Sequence, residues 1–262
     1  MTRIEKKFRE LRKTNKKAFV TFITAGYPDL RITEKLILEF DRIGVDILEL
    51  GVPFSDPMAD GPVIQEASRA ALKKKVHLEA ILELVKKARR HTQMPICIMT
   101  YYNPIFCFGE KRFIEKAKVS GVDGVIVPDL PPEEATQLHK LALASGINLI
   151  CFIAPTTSLK RMRYIAAVSK GFIYYVSLTG VTGARQALPE DLVRNLRIIK
   201  GITDKPVCVG FGVSQPEQVR KIKKLADGVI IGSAIVRKIR DNIGKPQLVK
   251  RVGDFVRYLK GD

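Results

Sequence analysis

The sequence predicts an α/β protein in which eight parallel strands, joined by helical segments, close into a barrel. Short and almost continuously apolar runs recur along the chain, as expected of parallel strands that helices cover on both faces. Amphipathic stretches separate these runs. The 262 residues are close to the ~250 that such a barrel usually needs, and no linker or change of composition divides them. We therefore expect one domain over residues 1–262, a (β/α)8 or TIM barrel.

The predicted elements alternate between strand and helix along the whole chain. Residues 2–14 precede the first strand and predict an extra N-terminal helix. The predicted strands are Phe19–Ala25, Asp46–Leu50, Ile96–Tyr101, Gly124–Val127, Asn148–Ile153, Phe172–Leu178, Val207–Phe211 and Gly228–Ile231. The predicted helices between them include Arg31–Ile43, Leu78–Arg90, Pro132–Ala144 and Leu192–Lys200. Eight strands in this order favour a closed barrel over an open sheet of five or six strands.

The second predicted strand and the loop after it carry two carboxylates, Glu49 and Asp60. Glu49 stands in an apolar run, where an ionised group is costly unless it is paired or useful. Backbone N–H groups at a strand end could also hold it in a purely structural role. Two acids in different environments acquire different pKa values, which is how acid and base roles are divided. Since such barrels carry their chemistry at the C-terminal ends of the strands, the pair indicates a site there.

Glycines follow the last three predicted strands and indicate a phosphate site. Gly183 follows the sixth strand and Gly212 the seventh, while Gly232 and Ser233 follow the eighth. Their backbone N–H groups can bind an anion, and a helix that starts at Ser233 adds the positive end of its dipole. Any one of these glycines can also be a simple turn residue. The segment GFGVSQ lacks the third glycine of a dinucleotide-binding motif.

The net charge of +18 does not by itself indicate a nucleic-acid partner. Most positions of the basic clusters fall on predicted polar helix faces. The clusters are Arg3–Lys17, Lys73–Lys75, Lys86–Arg90, Arg220–Lys224 and Arg237–Arg240. Nucleic-acid binders more often gather their cations into one stripe with aromatic platforms, and this chain has no Trp. We therefore expect solvated helix faces that favour anionic ligands through long-range attraction.

The cysteine, histidine and hydropathy patterns bear on metal sites, membrane spans and the cellular compartment of the protein. The four cysteines form no CxxC pair and predict buried, reduced thiols. The three histidines are scattered over polar stretches, so we expect no metal site. The chain has no apolar run of the ~18 residues that a membrane helix needs. We expect a soluble, cytoplasmic protein with no membrane partner.

Six segments resemble the tryptophan synthase α-chain family, in the same order and at the same spacings. They are ELGVPFSDPMADGPVIQ, MTYYNPI, PDLPPEE, YYVSLTGVTG, GFGVS and ADGVIIGSAIV. The resemblance implies cleavage of indole-3-glycerol phosphate to indole and glyceraldehyde 3-phosphate, with no cofactor in this chain. It also implies a β-chain partner that carries pyridoxal phosphate, takes up the indole and completes an α2β2 tetramer.

The same resemblance implies roles for individual residues. Glu49 would shuttle the proton, and Asp60 would accept the indole N–H from a loop that closes over the substrate. Thr182 would hydrogen-bond Asp60 in the closed form. Tyr174 would be a third catalytic residue, facing inward near Glu49, while Tyr175 points to the helix layer. The implied walls of the indole pocket are Phe22, Thr100, Ile126 and Phe211. From the pattern alone, Phe22 and Phe211 would more often be core residues, and either tyrosine could equally fill the barrel.

Three departures from the family and two other functions stay open at this point. Some relatives carry leucine where Thr100 stands and arginine where Leu178 stands, and many are less basic. The chain could instead be another phosphate-binding barrel enzyme, such as a sugar-phosphate isomerase or epimerase. It could also be a basic module that binds nucleic acid with a steep dependence on salt.

Overall fold

The structure is a computed structural model that describes residues 1–176, 190–210 and 212–261. Its strands form one closed barrel in sequence order, and all neighbouring strands are parallel. The strands are β1 (Ala18–Thr24), β2 (Ile47–Gly51), β3 (Ile96–Met99), β4 (Gly124–Ile126), β5 (Asn148–Ile153), β6 (Ile173–Val176), β7 (Val207–Gly210) and β8 (Gly228–Ile231). The predicted TIM barrel is therefore confirmed.

Helices surround the barrel in the described part of the chain. They are α1 (Arg3–Lys13), α2 (Leu30–Arg42), α3 (Pro62–Lys73), α4 (Leu78–Ala88), α5 (Tyr102–Phe108), α6 (Glu110–Ser120), α7 (Thr136–Ser145), α8 (Leu159–Val168), α9 (Glu190–Ile202), α10 (Pro216–Leu225), α11 (Ser233–Arg240) and α12 (Leu248–Lys260). None of these helices is long and apolar enough to cross a membrane. The basic cluster Lys73–Lys75 is exposed, as are Lys86 and Lys87.

Some predicted boundaries differ from the structure for local reasons. The third strand ends at Met99 rather than at Tyr101, because Tyr101 is already the N-cap of α5. The helix predicted from Pro132 begins only at Thr136. Before it, a turn forms in which the N–H groups of residues 134 and 135 both donate to the Pro131 carbonyl. The predicted ends of the sixth and seventh strands, Leu178 and Phe211, lie outside the described residues.

The N-terminal helix α1 packs against the inside of the barrel where the strands begin. Its buried residues Ile4, Phe8 and Leu11 belong to the same inner cluster as the inward-facing side chains of the strands. The ring of Phe8 lies 5.8 Å from that of Phe172, which directly precedes β6. This helix therefore fills the end of the barrel opposite to the C-terminal ends of the strands.

A buried carboxylate ties α1 to the barrel. Asp123, whose side chain is 4% exposed, pairs with Arg89 at 2.5 Å and with Arg3 of α1 at 3.0 Å. It also accepts the backbone N–H of Ile96 at the start of β3, at 2.9 Å. A buried charge is tolerated only when it is paired and hydrogen-bonded in this way. The network holds α1 against the starts of β3 and β4.

Closure of the barrel joins its first and last strands. Ala18 of β1 is in register with Gly228 of β8. The Ala18 N–H donates to the carbonyl of Asp227 at 2.8 Å. Each end strand thus has a hydrogen-bonded neighbour on both sides, which removes the free edges of an open sheet.

The cysteines follow the predicted pattern with one exception. Cys97, Cys151 and Cys208 lie on strands and are buried as free thiols. Cys107 is exposed, so its predicted burial is wrong. It lies on α5, a short helix with Ile105 as its buried residue, and it faces away from the core.

Candidate active site

A cavity of about 410 Å³ lies at the C-terminal ends of the strands. Six of the predicted site residues line it, namely Phe22, Asp60, Tyr174, Gly212, Gly232 and Ser233. Much of the remaining wall is apolar and includes Ile64, Met99, Phe152, Val176 and Ile230. The cavity thus combines an apolar wall with a carboxylate and with glycines from the loops after β7 and β8.

The other predicted site residues are not among those that line this cavity. Glu49 is in register with Phe22 on the neighbouring strand, so it lies in the barrel wall beside a residue of the cavity. Thr100 lines a narrow cleft of about 10 Å³ that shares Phe22 and Asp60 with the cavity. Ile126 is fully buried in the inner cluster and lines neither space. The predicted residues Thr182, Gly183 and Phe211 lie outside the described part of the chain.

The carboxyl group of Glu49 is fully buried inside the barrel. Neither of its oxygens has a hydrogen-bond partner among the described residues. Burial raises the pKa of this carboxyl to about 8, because the low dielectric disfavours its charged form. Glu49 is therefore mostly a neutral acid at pH 7 and has a proton to donate. No backbone N–H group in the described chain holds it in the structural way left open above.

The raised pKa of Glu49 makes the stability of the fold depend on pH. Between the ordinary pKa of 4.5 and the folded value of about 8, the native carboxyl keeps a proton that the unfolded chain releases. Unfolding therefore releases a proton, and the free energy of unfolding falls as pH rises, by up to about 1.4 kcal/mol per pH unit. Above pH 8 both states are ionised and this slope ends.

Replacing Glu49 with glutamine is expected to remove that slope. Relative to the parent, Glu49→Gln should gain stability as pH rises from 6 to 8, by about 2 kcal/mol in total as an order of magnitude. Urea denaturation at pH 6, 7 and 8 measures the difference. A matched control is Glu39→Gln, which removes a largely buried carboxylate of the helix layer whose partners are Arg42 and Arg257. Parallel pH curves for parent and Glu49→Gln would contradict the raised pKa.

Asp60 lies on the loop between β2 and α3 and is held by Tyr101. The Tyr101 hydroxyl donates to Asp60 Oδ2 at 3.1 Å and accepts the Ala59 N–H at 2.9 Å. The ring of Tyr101 stacks on Phe54 at 5.1 Å, and Gln65 Nε2 donates to the Asp60 carbonyl at 2.9 Å. Burial raises the pKa of Asp60 to about 6, against the opposing effect of the bond from Tyr101. At pH 7 Asp60 is therefore mostly an anion at the cavity.

Two glycines on the strands make room for the aromatic rings of the site. A Cβ atom on Gly210 would lie 2.5 Å from the Tyr174 hydroxyl, and one on Gly51 would overlap the ring of Phe22. Tyr174 therefore fits against β7 only because no side chain stands there. Burial raises the pKa of Tyr174 well above its usual value, and the charge of Glu49 adds to the shift. Tyr174 and Glu49 are therefore close enough for the charge of one to affect the pKa of the other.

The neighbouring tyrosine points the other way. Tyr175 is buried in the layer between barrel and helices, where Asn195 of α9 donates to its hydroxyl at 3.1 Å. The alternation of side chains along a strand therefore sends Tyr174 to the cavity and Tyr175 to the helix layer.

The glycine side of the cavity has the features of an anion site. Gly212 has a left-handed backbone with φ of 68°, a conformation that favours glycine. Gly232 is the N-cap of α11, and Ser233 is the first residue of that helix. Helix N-termini present backbone N–H groups and a positive dipole end to anions. This side of the cavity can hold a phosphate group.

Several residues of the site were not assigned a role from the sequence, among them Met99, Tyr101 and Arg237. Met99, rather than Thr100, is the inward-facing residue at the end of β3, and the alternation from Cys97 could have found it. Tyr101 stands inside the MTYYNPI segment, but only the structure shows its bond to Asp60. Arg237 also lines the cavity and was noted only as part of a basic helix face. Within the described residues, no three His, Cys, Asp or Glu side chains form a group that could hold a metal ion.

Comparisons with known proteins agree on one family. The family model described as "Tryptophan synthase alpha chain" matches residues 8–260. A tryptophan synthase alpha chain of Geobacter sp. (strain M21) is 48% identical over 260 residues, which are 99% of this chain and 97% of that protein. The crystal structure of tryptophan synthase subunit alpha from Legionella pneumophila str. Paris superposes with a TM-score of 0.92 at 36% identity, covering 100% of this chain and 98% of that one.

A third comparison is with a solved structure titled as tryptophan synthase from Mycobacterium tuberculosis. It superposes with a TM-score of 0.89 at 33% identity and covers 99% of this chain and 98% of that chain. The likeness thus extends over nearly the full length of both chains, in sequence and in fold.

Proposed function

Because this chain belongs to the tryptophan synthase alpha chain family, we propose that it cleaves indole-3-glycerol phosphate to indole and glyceraldehyde 3-phosphate. The observation that carries the proposal is the environment of Glu49, a fully buried carboxyl with a pKa of about 8, in register with Phe22 of the cavity wall. Such an acid can give up a proton and take one back near neutral pH, which is the requirement of this retro-aldol cleavage.

In the first step, neutral Glu49 donates its proton to the indole ring carbon that bears the glycerol phosphate side chain. The ring then carries a positive charge, centred on its nitrogen, and becomes able to accept the electrons of the scissile bond. Asp60 accepts a hydrogen bond from the indole N–H and stabilises this charge. A preorganised carboxylate at the site of developing charge is an effective electrostatic catalyst.

In the second step, the Glu49 carboxylate takes the proton of the side-chain hydroxyl next to the scissile bond. The carbon–carbon bond breaks as the hydroxyl becomes the aldehyde of glyceraldehyde 3-phosphate, and its electron pair returns to the ring to give neutral indole. Glu49 is protonated again at the end. Protons and electrons therefore balance with this chain's own residues, and the proposed reaction uses no cofactor in this chain.

The remaining site residues bind and orient the substrate in this proposal. Tyr174 and Phe22 lie against the indole, and Thr100 lies at the edge of its pocket. Gly212, Gly232 and Ser233 hold the phosphate. The predicted contributions of Ile126, Thr182, Gly183 and Phe211 stay predictions, the first because it does not line the cavity and the others because they lie outside the described residues.

Membership in this family implies a β-chain partner. We propose that the two form an α2β2 tetramer in the cytoplasm and that the indole passes to the β chain, which carries pyridoxal phosphate.

The test is release of indole from indole-3-glycerol phosphate, measured with and without the cognate β chain. We expect indole and glyceraldehyde 3-phosphate in equal amounts. Interconversion of sugar phosphates by the same preparation tests the isomerase or epimerase alternative. Absence of indole under both conditions, with the β chain shown to be active on added indole, would reject the proposed function.

A further inference from the structure

We propose that Arg237 is the cation that recognises the phosphate dianion of the substrate, an inference that rests on the function proposed above. Among the described residues that line the cavity, the charged ones are Asp60 and Arg237. Asp60 is assigned to the indole ring. The guanidinium of Arg237 is therefore the positively charged group among the described residues that line the cavity.

Arg237 is placed to act together with the glycine side of the cavity. It lies on α11, four residues after Ser233, so the two side chains share one face of the helix. Both line the cavity. Its side chain is exposed, so it reaches the cavity from the solvent side. The first turn of α11 and the guanidinium can therefore contact the same anion.

The other cations of α11 are engaged elsewhere. Arg240 pairs with Glu66 at 3.4 Å and with Asp241 at 3.1 Å. The ammonium group of Lys238 lies 5.4 Å from the centre of the Phe255 ring. Arg237, in contrast, forms no ion pair with another described residue. Its guanidinium is thus available to a ligand in the cavity.

The charge of a phosphate ligand explains why a cation such as Arg237 is needed on this side of the cavity. Backbone N–H groups and a serine hydroxyl donate hydrogen bonds but carry no net charge. A phosphate monoester has its second pKa near 6 and is mostly a dianion at pH 7. Arginine presents a planar fork of N–H donors that binds phosphate oxygens in pairs. Arg237 would therefore favour phosphorylated ligands over neutral ones of the same shape.

The phosphate is remote from the bond that breaks, so its contact with Arg237 is equal in ground state and transition state. Loss of such a contact raises KM and leaves kcat nearly unchanged. A cation near the C-terminal end of a helix can also stabilise that helix alone. That role would change the melting temperature and would not separate KM from kcat.

The experiment compares Arg237→Gln, Arg237→Lys and the control Arg240→Gln in the full chain. Arg240→Gln removes one charge from the same helix at a residue outside the cavity. The readouts are kcat and KM for indole-3-glycerol phosphate, the calorimetric Kd for glycerol 3-phosphate, and the melting temperature. We expect Arg237→Gln to raise KM and Kd by about 10- to 100-fold, with kcat within about twofold of the parent. Arg237→Lys should keep part of the affinity, and Arg240→Gln should match the parent.

The binding assay separates this inference from the proposed function. If the parent binds glycerol 3-phosphate through Arg237 but releases no indole, the function fails and the role of Arg237 stands. If the parent is active and Arg237→Gln keeps its KM and Kd, the role of Arg237 is overturned. Equal losses in Arg237→Gln and Arg240→Gln, a fall in kcat alone, or no binding of glycerol 3-phosphate by the parent would overturn it as well.

Discussion

Replacing Glu49 with glutamine is expected to lower kcat for indole release by about 10²- to 10⁴-fold, the usual contribution of a general acid–base group. Glutamine has the shape of the protonated acid but can neither give nor take the proton in either step. Steady-state assays of indole release measure the loss. Substrate binding should survive, because the phosphate site and the apolar wall are unchanged, and calorimetry with indole-3-glycerol phosphate measures it.

The control for this variant is again Glu39→Gln, which removes a mostly buried carboxylate on α2. It should keep the parental kcat, because Glu39 does not line the cavity. If Glu49→Gln turned over at a rate within a few fold of the parent, Glu49 would not be the proton shuttle. The raised pKa would then belong to a buried acid without a catalytic role.

Asp60→Asn is the second substitution with a large expected effect, a fall in kcat of about 10²- to 10³-fold. The asparagine side chain keeps an oxygen that can accept the hydrogen bond from the Tyr101 hydroxyl. The substitution therefore removes the negative charge while leaving the loop its main contact. Because that charge stabilises the protonated ring, its loss should appear in kcat more than in KM.

Asp56→Asn is the matched control for Asp60, since Asp56 is an exposed acid on the same loop. It should leave kcat near the parental value in assays of the isolated chain. Equal effects of the two substitutions would indicate a general change of the loop. A parental rate for Asp60→Asn would reject the charge-stabilising role outright.

The barrel could be predicted because its strands are covered on both faces. That arrangement produces apolar runs such as Asn148–Ile153 and Gly228–Ile231, whose observed bounds match the prediction. Capping and turns are harder to predict, as the N-cap role of Tyr101 and the turn after Pro131 show. In both places a local hydrogen-bonding choice overrides a longer apolar pattern.

The site could be predicted only in part, because alternation along a strand does not determine depth in the barrel. Met99 and Ile126 are register partners on adjacent strands, and both face inward. Met99 nevertheless lines the cavity, whereas Ile126 is fully buried away from it. Tyr101, in contrast, contributes from a segment distant in sequence from the loop that it holds. Its role depends on three-dimensional proximity, which no spacing in the chain records.

The pairing of β1 with β8 has a consequence for folding during synthesis on the ribosome. The two strands are separated by nearly the whole chain, since Ala18 is in register with Gly228. One edge of β1 stays without its native neighbour until the last strand has left the exit tunnel. A bare strand edge can recruit a foreign chain, and distant pairing is slow to form. The nascent chain is therefore exposed to aggregation at this edge of β1 until β8 has emerged and paired with it.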